Sequence, residues 1–333
     1  MADTNWTTLL EVRDLSMHFP LNDSLTRRMR RKQVDVLRAV DGVDLTVARG
    51  EALGLVGESG CGKSTLGRCI VGLYEPTGGQ VLVDGHELPS RRAAGDRRRL
   101  QMVFQDPYSS LNPRMTVHQA IGELLRVHNV VPRNRVDERC RELLDLVGLP
   151  PSALDAFPRQ FSGGQRQRIS IARALALEPE ILIADEPVSA LDVSVQATVL
   201  NLLSDLRQRL GLTMLFIAHN MAVVRHVCDR VAVMYLGRIV ELASGDELFS
   251  NPRHPYTQAL LRAVPRIAPG HATQRDAVTG DPPSPVNLPP GCRFNPRCPR
   301  AADVCRVEDP PLERRGEHAA ACHFAWSDPG REP

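Results

Sequence analysis

Short apolar runs alternate with segments of helical spacing through most of the chain. Largely apolar runs of four or five residues predict strands that are buried on both faces, at 53–56, 100–104, 181–184 and 214–218. Apolar residues at three- to four-residue spacing predict amphipathic helices, at 121–125, 143–147, 169–176 and 195–210. Alternation of this kind builds a parallel sheet, and the carboxyl ends of its strands gather the active residues. The chain is therefore predicted to have an α/β fold.

A different pattern near the amino terminus predicts antiparallel strands. Apolar residues partly alternate from Leu10 to Phe19, and strand-like character returns from Val36 to Val47. Residues 80–83 predict another strand, and the pair Asp84-Gly85 that follows it predicts a tight hairpin turn. We therefore expect an antiparallel β subdomain beside the parallel sheet.

The composition changes after about residue 268, which predicts two regions. Residues 1–268 are expected to form the main domain, with a helical insertion at about 106–160 between the halves of the α/β core. Residues 269–333 are expected to form a stiff proline-rich linker followed by a cysteine-bearing region.

Charge and hydropathy exclude several classes of protein. The net charge of +2 gives no global field that would recruit nucleic acid or an anionic membrane. Arginine-rich runs at 27–32 and 91–99 are expected to be solvated loops, with contact to phosphate headgroups or a partner as the lesser alternative. The chain has no run of 18 consecutive apolar residues, and its first residues lack the pattern of a signal peptide. We expect a protein that neither spans a membrane nor is secreted.

The segment that carries the chemistry follows the first buried strand. Its pattern G-x-x-x-x-G-K-[ST] is that of a loop whose backbone amides converge on phosphate oxygens, with glycines where a Cβ would crowd them. The helix that follows points its N-terminal dipole at the phosphates. Lys63 is expected to reach the β- and γ-phosphates, and Ser64 to place its hydroxyl on Mg²⁺. The predicted ATP-binding residues of this loop are Gly57, Ser59, Gly60, Cys61, Gly62, Lys63, Ser64 and Thr65.

Two carboxylates end the strand predicted at 181–184. A P-loop ATPase holds Mg²⁺ with a carboxylate in such a place, and Asp185 fits that role. Glu186 beside it is the candidate that orients and polarises the attacking water. Taken alone, such a pair is more often a helix cap, but the phosphate loop reverses that preference.

The segment Phe161-Ser162-Gly163-Gly164-Gln165 points to a family. Together with the phosphate loop, Gln105, the carboxylates and the sequence Ser189-Ala190-Leu191-Asp192, it resembles the nucleotide-binding subunit of ATP-binding cassette (ABC) transporters over residues 10–265. The resemblance implies a P-loop NTPase core in which two chains pack head to tail around ATP. Ser162, Gly163, Gly164 and Gln165 of one chain would then meet the γ-phosphate held by the other.

The same resemblance assigns further site residues. It implies that Gln105 senses Mg²⁺ and links the site to membrane subunits, and that Asp192 contacts the other chain. His219 would bond the γ-phosphate, although a histidine satisfied at a strand end is the alternative. Phe19 would stack on adenine. Asn220 departs from the aspartate usual after that histidine, with little effect expected on the chemistry.

Residues 105–116 and 251–257 narrow the resemblance to the ATPases of dipeptide and oligopeptide importers. This implies a peripheral protein on the cytoplasmic face of the cell (inner) membrane. Its partners would be two permeases, a related second ATPase in a heterodimer and, indirectly, an extracytoplasmic peptide-binding protein, with no nucleic acid. Import of nickel or another small solute is the alternative within transport. A non-transport ABC ATPase is less favoured because one cassette is present without heptads, and a purely structural role is disfavoured because the catalytic residues are intact.

Four cysteines lie near the carboxyl end, separated by 5, 6 and 16 residues: Cys292, Cys298, Cys305 and Cys322. Their spacing does not distinguish a structural Zn²⁺ from a [4Fe-4S] cluster, because both accept four thiolates. The family resemblance implies the [4Fe-4S] cluster.

Overall fold

The computed structural model of the chain describes residues 7–21, 35–106, 110–263 and 280–327. The basic run at 27–32, Pro107–Ser109 of the predicted importer motif and residues 269–279 of the predicted linker lie outside these ranges. The strands are β1 (Thr8–Leu21), β2 (Asp35–Ala48), β3 (Ala52–Val56), β4 (Gly78–Val83), β5 (His86–Glu87), β6 (Leu100–Val103), β7 (Ile181–Asp185), β8 (Thr213–Ala218), β9 (Arg230–Tyr235), β10 (Arg238–Ser244), β11 (Glu313–Arg315) and β12 (His318–Ala320).

The helices follow the predicted alternation. They are α1 (Lys63–Ile70), α2 (Ala94–Arg99), α3 (Val117–Val127), α4 (Val136–Leu146), α5 (Gly163–Leu175), α6 (Val193–Leu210), α7 (Met221–Val227), α8 (Gly245–Ser250), α9 (Pro255–Arg262) and α10 (Asp303–Val307). Within the described ranges, no helix is both long enough and apolar enough to cross a membrane.

The chain divides into two compact units. The first unit comprises Met1–Leu10, Thr46–Ala52 and Leu82–Ala218. The second comprises Glu11–Leu45, Leu53–Val81 and His219–Pro333.

The first unit contains three parallel strands in the order β8-β7-β6. Ile181 of β7 pairs with Leu100 on one side and with Thr213 on the other. Every residue of β7 and β8 is buried, as expected for strands covered on both faces. The prediction of parallel strands from the continuous apolar runs is confirmed.

Helices α3, α4 and α5 contact one another in the first unit. Their inward-facing apolar residues are fully buried, among them Ile121 and Leu125 of α3 and Leu143 and Leu144 of α4. Apolar residues at helical spacing form one such face on each helix. The helices predicted within residues 106–160 are therefore present.

The second unit continues from the phosphate loop to the carboxyl-terminal region. Strand β3 pairs in parallel with β9, which pairs antiparallel with β10. Strand β12 then pairs antiparallel with β10, with Glu241 opposite Ala320, and β11 adds to β12. The cysteine-bearing region thus contributes two short strands to a sheet of the second unit.

A further sheet has the strand order β2-β1-β4-β5. Strands β4 and β5 form the hairpin predicted from Asp84-Gly85, with Val83 opposite His86. Both turn residues have positive φ, 55° and 75°, which is the geometry of the two-residue turn that this dipeptide favours.

The segment at 251–257 takes part in a buried polar cluster of the second unit. The carboxylate of Glu241, itself fully buried, accepts hydrogen bonds from the amides of Arg253 and His254 and interacts with His318 Nε2 at 2.7 Å. His254 Nδ1 accepts from the Tyr256 amide at 3.0 Å and so caps α9. The segment therefore fixes α9 to strand β10.

Burial lowers the pKa of His254 from 6.5 to about 4, although the nearby Glu241 carboxylate opposes the shift. Because the folded pKa lies below the unfolded one, the stabilisation is complete above pH 6.5 and is lost as the pH falls toward 4. Lowering the pH from 7 to 5 is expected to reduce the free energy of unfolding by about 2 kcal/mol through this residue. The variant His254→Asn keeps an N-cap acceptor without a titrating group. Urea unfolding at pH 7 and pH 5 measures the fall in the free energy of unfolding between these two pH values. That fall is expected to be smaller in His254→Asn than in the wild type by about 2 kcal/mol. An equal fall in both proteins would show that His254 is not the titrating residue.

Candidate active site

The phosphate loop lies in the second unit between β3 and α1. Lys63 is buried, and its Nζ donates hydrogen bonds to the carbonyl oxygens of Gly57 at 2.8 Å and Glu58 at 2.9 Å. Ser59 and Gly60 are exposed on the loop, whereas Ser64 and Thr65 are partly buried in the first turn of α1. A positive charge is thus fixed inside a loop that precedes a helix N-terminus, which is an arrangement suited to phosphate.

Two glycines of the loop lie against backbone and have positive φ. A Cβ on Gly57 (φ 156°) would lie 2.2 Å from the carbonyl oxygen of Met234, and one on Gly62 (φ 109°) 1.9 Å from that of Ala39. A backbone oxygen cannot move away as a side-chain end does. The loop therefore holds its shape only with glycine at these positions.

Replacing Gly62 with alanine is expected to abolish ATP binding and to lower the free energy of unfolding by about 3 kcal/mol or more. Gly211, at the end of α6, provides a matched control outside the loop, since it also has positive φ (64°) but a Cβ there would meet nothing within 4 Å. Gly211→Ala is expected to cost only the backbone strain of about 1 kcal/mol and to leave ATP binding unchanged. Isothermal titration with ATP and urea unfolding measure both effects. Equal behaviour of the two variants would contradict the close approach at Gly62.

The carboxylates and Gln105 lie in the first unit. Asp185, the last residue of β7, is buried, and Glu186 follows it with φ of 44°. The amide of Glu186 donates to the carbonyl of Ile217 in β8 at 2.9 Å, and its own carbonyl accepts from Ser189 Oγ at 3.1 Å. A non-glycine residue at such φ is strained, and strain of this kind clusters at active sites. The backbone of Glu186 is therefore held firmly in an unusual conformation.

The side chain of Glu186 meets Gln105, which follows the adjacent strand β6. Gln105 Nε2 donates to Glu186 Oε2 at 3.1 Å. Parallel strands bring their carboxyl ends to the same edge, so residues 81 positions apart become neighbours. The structure thus brings Glu186 and Gln105 together, with Asp185 directly before Glu186 in the chain.

Ser162 caps helix α5 in a reciprocal arrangement. Its Oγ accepts from the Gln165 amide at 3.3 Å, and Gln165 Oε1 accepts from the Ser162 amide at 3.0 Å. Because the Ser162 hydroxyl serves as an acceptor here, its proton can still be donated to a phosphate oxygen. Ser162 and Gln165 are both exposed, as a contact to another chain requires.

The two glycines after Ser162 lie beside the start of α6. A Cβ on Gly164 would lie 2.3 Å from Val195 Cγ1, and one on Gly163 would lie 3.2 Å from Leu191 Cδ2. Asp192 is exposed at the N-cap of α6, and its side chain makes no capping hydrogen bond. The segment 162–165 and the segment 189–192 therefore lie side by side in the first unit.

The other predicted residues lie in the second unit. His219 is exposed directly after β8, and Asn220 caps α7 by accepting from the Ala222 amide at 2.9 Å. The aromatic ring of Phe19 meets Tyr74 edge-on, with 5.7 Å between ring centroids. Burial raises the pKa of the Cys61 thiol, so this loop cysteine stays protonated at neutral pH.

Two contacts of the phosphate loop were not predicted. Glu58 accepts two hydrogen bonds from Arg297, and its amide donates to Tyr256 Oη at 2.8 Å. Arg297 is 239 positions away in the sequence. No periodicity or spacing signals such a pair.

The four carboxyl-terminal cysteines lie near one another but do not form a metal site as they are placed. The Cys292 amide donates to the Cys305 carbonyl at 2.9 Å. Burial, together with the charges of the other three thiols, raises the pKa of Cys292 to about 12. Among the residues that the structure describes, however, no group of three or more His, Cys, Asp or Glu side chains is positioned to hold a metal ion. The predicted metal centre is therefore not supported by this arrangement.

Two known protein families match this chain. The ABC transporter family matches residues 40–189, and the oligopeptide/dipeptide transporter C-terminal region matches residues 240–305. The oligopeptide transport ATP-binding protein AppF of Bacillus subtilis is 48% identical over 331 residues, which are 97% of this chain and 99% of AppF. A relative from Brucella ovis is 50% identical over 320 residues, 95% of this chain and 98% of its own length.

Solved structures agree with this assignment. CbiO1 of Clostridium perfringens, part of the ABC transporter complex cbiONQ, aligns with a TM-score of 0.62 at 28% identity over 73% of this chain and 91% of its own. The ATP-binding cassette MJ0796, a dimer in a post-hydrolysis state bound to ADP and Pi, aligns with a TM-score of 0.61 at 26% identity over 71% of this chain and 98% of its own. The chain belongs to the ATP-binding proteins of ABC transporters, in the group related to oligopeptide and dipeptide transport.

Proposed function

We propose that this chain is the ATP-hydrolysing subunit that powers import of di- or oligopeptides through partner membrane permeases. The observation that carries the proposal is the Glu186 carboxylate, held at the end of β7 and hydrogen-bonded to Gln105, in a chain whose phosphate loop fixes Lys63. A carboxylate placed in this way activates water for attack on a phosphoryl group.

ATP would bind along the loop from Gly57 to Thr65, with Lys63 toward the β- and γ-phosphates and Phe19 against the adenine. The residues suited to Mg²⁺ carry oxygen ligands, which this ion prefers: the Ser64 hydroxyl, the Gln105 amide and the buried Asp185 carboxylate. Mg²⁺ would neutralise charge that develops on the phosphates.

Hydrolysis would proceed by attack of water on the γ-phosphorus. The water oxygen forms the new P–O bond and the bond to the β–γ bridging oxygen breaks, while Glu186 orients and polarises the water and accepts the proton that it loses. His219 would hold a γ-phosphate oxygen. ADP and inorganic phosphate leave as separate products.

The closed site would need two chains. Ser162, Gly163, Gly164 and Gln165 of one chain would contact the γ-phosphate on the other, with Asp192 against that partner. Each charge-assisted hydrogen bond contributes about 1.5–3 kcal/mol. Shifting a two-state equilibrium from 1:99 to 99:1 needs about 5.5 kcal/mol. A few bonds to one γ-phosphate are therefore enough to close the dimer, and hydrolysis removes them.

We place the protein on the cytoplasmic face of the membrane, paired with a related ATPase and two permeases and served indirectly by an extracytoplasmic peptide-binding protein. Residues 1–268 would form the nucleotide-binding domain, with the helical subdomain at about 106–160, and residues 269–333 the linker and cysteine-bearing region. Purification of the tagged chain from native membranes is expected to recover two permeases and a second ATPase. Recovery of ribosomes or DNA-repair proteins in their place would overturn this function.

The cysteine set is proposed as a [4Fe-4S] site, with Zn²⁺ as the alternative. The support is the number of thiols, Cys292, Cys298, Cys305 and Cys322, and their electrostatic interaction. No catalytic step depends on it. Anaerobic purification is expected to give brown protein with about four irons per chain, the content of one such cluster. Colourless protein loaded with zinc would contradict the cluster.

A further inference from the structure

Arg297 reaches the phosphate loop from the cysteine-bearing region. It ends a short 3₁₀ turn, Asn295–Arg297, between Cys292 and Cys298. Its side chain is 5% exposed. Nη1 donates to Glu58 Oε2 at 2.8 Å and Nη2 to Glu58 Oε1 at 2.9 Å. This two-bond geometry matches the planar guanidinium to the carboxylate and fixes the direction of both groups.

Glu58 is the second residue of the phosphate loop, and its main chain is tied as well as its side chain. Its amide donates to the hydroxyl of the fully buried Tyr256 at 2.8 Å. Its carbonyl oxygen accepts from Lys63 Nζ at 2.9 Å. One residue therefore connects the guanidinium of Arg297 to the ammonium that is expected to bind phosphate.

Aromatic rings hold Arg297 in place. Its guanidinium carbon lies 5.9 Å from the centroid of the Tyr235 ring. That ring contacts Tyr256 and Phe294, with centroids 4.6 Å and 5.3 Å away. The guanidinium of an arginine stays charged at every pH of interest, so Arg297 keeps the charge that pairs with the Glu58 carboxylate. The contact is thus built into buried, ordered surroundings.

We propose that Arg297 is a positioning residue for ATP binding: through Glu58 it sets the backbone that holds Lys63, so the carboxyl-terminal region controls the affinity of the phosphate loop. The inference rests on the proposed function, because it assumes that this loop binds ATP. Arg297 itself touches no substrate.

The test uses the complete chain in its assembled complex. Arg297→Ala is expected to raise the Kd for ATP on the order of 10-fold, the effect of losing one charge-assisted hydrogen bond between a displaced Lys63 and phosphate. Arg297→Lys keeps the charge without the two-bond geometry and is expected to lie between the wild type and Arg297→Ala. The matched control is Arg306→Ala, in the same region, whose partner Asp303 and whose own side chain are both exposed. That variant is expected to leave the Kd unchanged.

A double-mutant cycle separates positioning from a general structural effect. Glu58→Gln is expected to raise the Kd, and the Arg297→Ala/Glu58→Gln double variant to be no worse than the weaker-binding single variant. Lowered thermal stability with an unchanged Kd, or additive effects in the double variant, would overturn the inference. A wild-type complex that hydrolyses no ATP would refute the proposed function instead. If Arg297→Ala fails to fold, Arg297→Lys and Glu58→Gln decide the matter.

Discussion

Replacing Glu186 with glutamine is expected to lower the rate of ATP hydrolysis roughly 100- to 10,000-fold, the usual contribution of a general base. Glutamine has the same shape as glutamate, and the backbone bonds of residue 186 to Ile217 and Ser189 do not depend on the carboxylate. ATP should therefore still bind, and the closed dimer should accumulate because its γ-phosphate persists. Single-turnover hydrolysis and size-exclusion chromatography with ATP measure the two effects.

The control for this variant is Glu142→Gln, an exposed carboxylate on α4 whose partner is Arg139. It is expected to leave the hydrolysis rate unchanged. If Glu186→Gln retains hydrolysis at the wild-type rate, Glu186 is not the residue that activates water.

Lys63→Ala is expected to raise the Kd for ATP roughly 100-fold or more, because it removes charge-assisted bonds to phosphate. It also leaves the carbonyls of Gly57 and Glu58 without the donor that joins them, so the loop itself loses its internal hydrogen bonds. Titration with ATP and urea unfolding separate the loss of binding from the loss of stability.

Lys63→Arg tests whether positive charge alone is enough for ATP binding. A guanidinium keeps the charge but is larger and planar, whereas the Lys63 ammonium is buried and donates to two backbone carbonyls of the loop. Arginine is therefore expected to restore little binding. Wild-type affinity in Lys63→Ala would remove this residue from the phosphate site.

Apolar patterning and turn chemistry predicted much of the fold. The continuous apolar runs at 181–184 and 214–218 became β7 and β8, buried along their whole length. Asp84-Gly85 became the two-residue hairpin turn. Both signals are local in the sequence, since a continuous apolar run is typical of a strand covered on both faces and Asp-Gly supplies the positive φ that a two-residue turn needs.

The carboxyl-terminal strands were not predicted. Strand β12 has only three residues, His318–Ala320, which is too short for periodicity to be visible, and its pairing with β10 joins residues as distant in sequence as Glu241 and Ala320. The polar cluster around Glu241 and His254 depends on that same packing. In sequence, the segment at 251–257 resembles a motif of peptide importers. In the structure, its physical role is to cap α9.

Some contacts of the candidate site could be predicted from the sequence, and those that depend on distant packing could not. Gln105 and Glu186 follow strands, so their meeting at 3.1 Å follows from parallel topology. Gly164 was expected to meet the γ-phosphate held by the other chain, and the structure adds that Val195 leaves no space for a Cβ. Arg297 gave no signal, since it is one arginine among many and its partner Glu58 is known only from the folded contact.

Peptide uptake by the purified complex shows directly whether ATP hydrolysis by this chain drives peptide import. The complex, with its peptide-binding protein outside, is reconstituted into vesicles that enclose ATP, and accumulation of a labelled oligopeptide is followed over time. Accumulation against the gradient is expected with ATP and the wild-type chain, and none is expected with Glu186→Gln. Equal uptake without ATP, or ATP-driven uptake of nickel but not of peptide, would contradict the proposed role in peptide import.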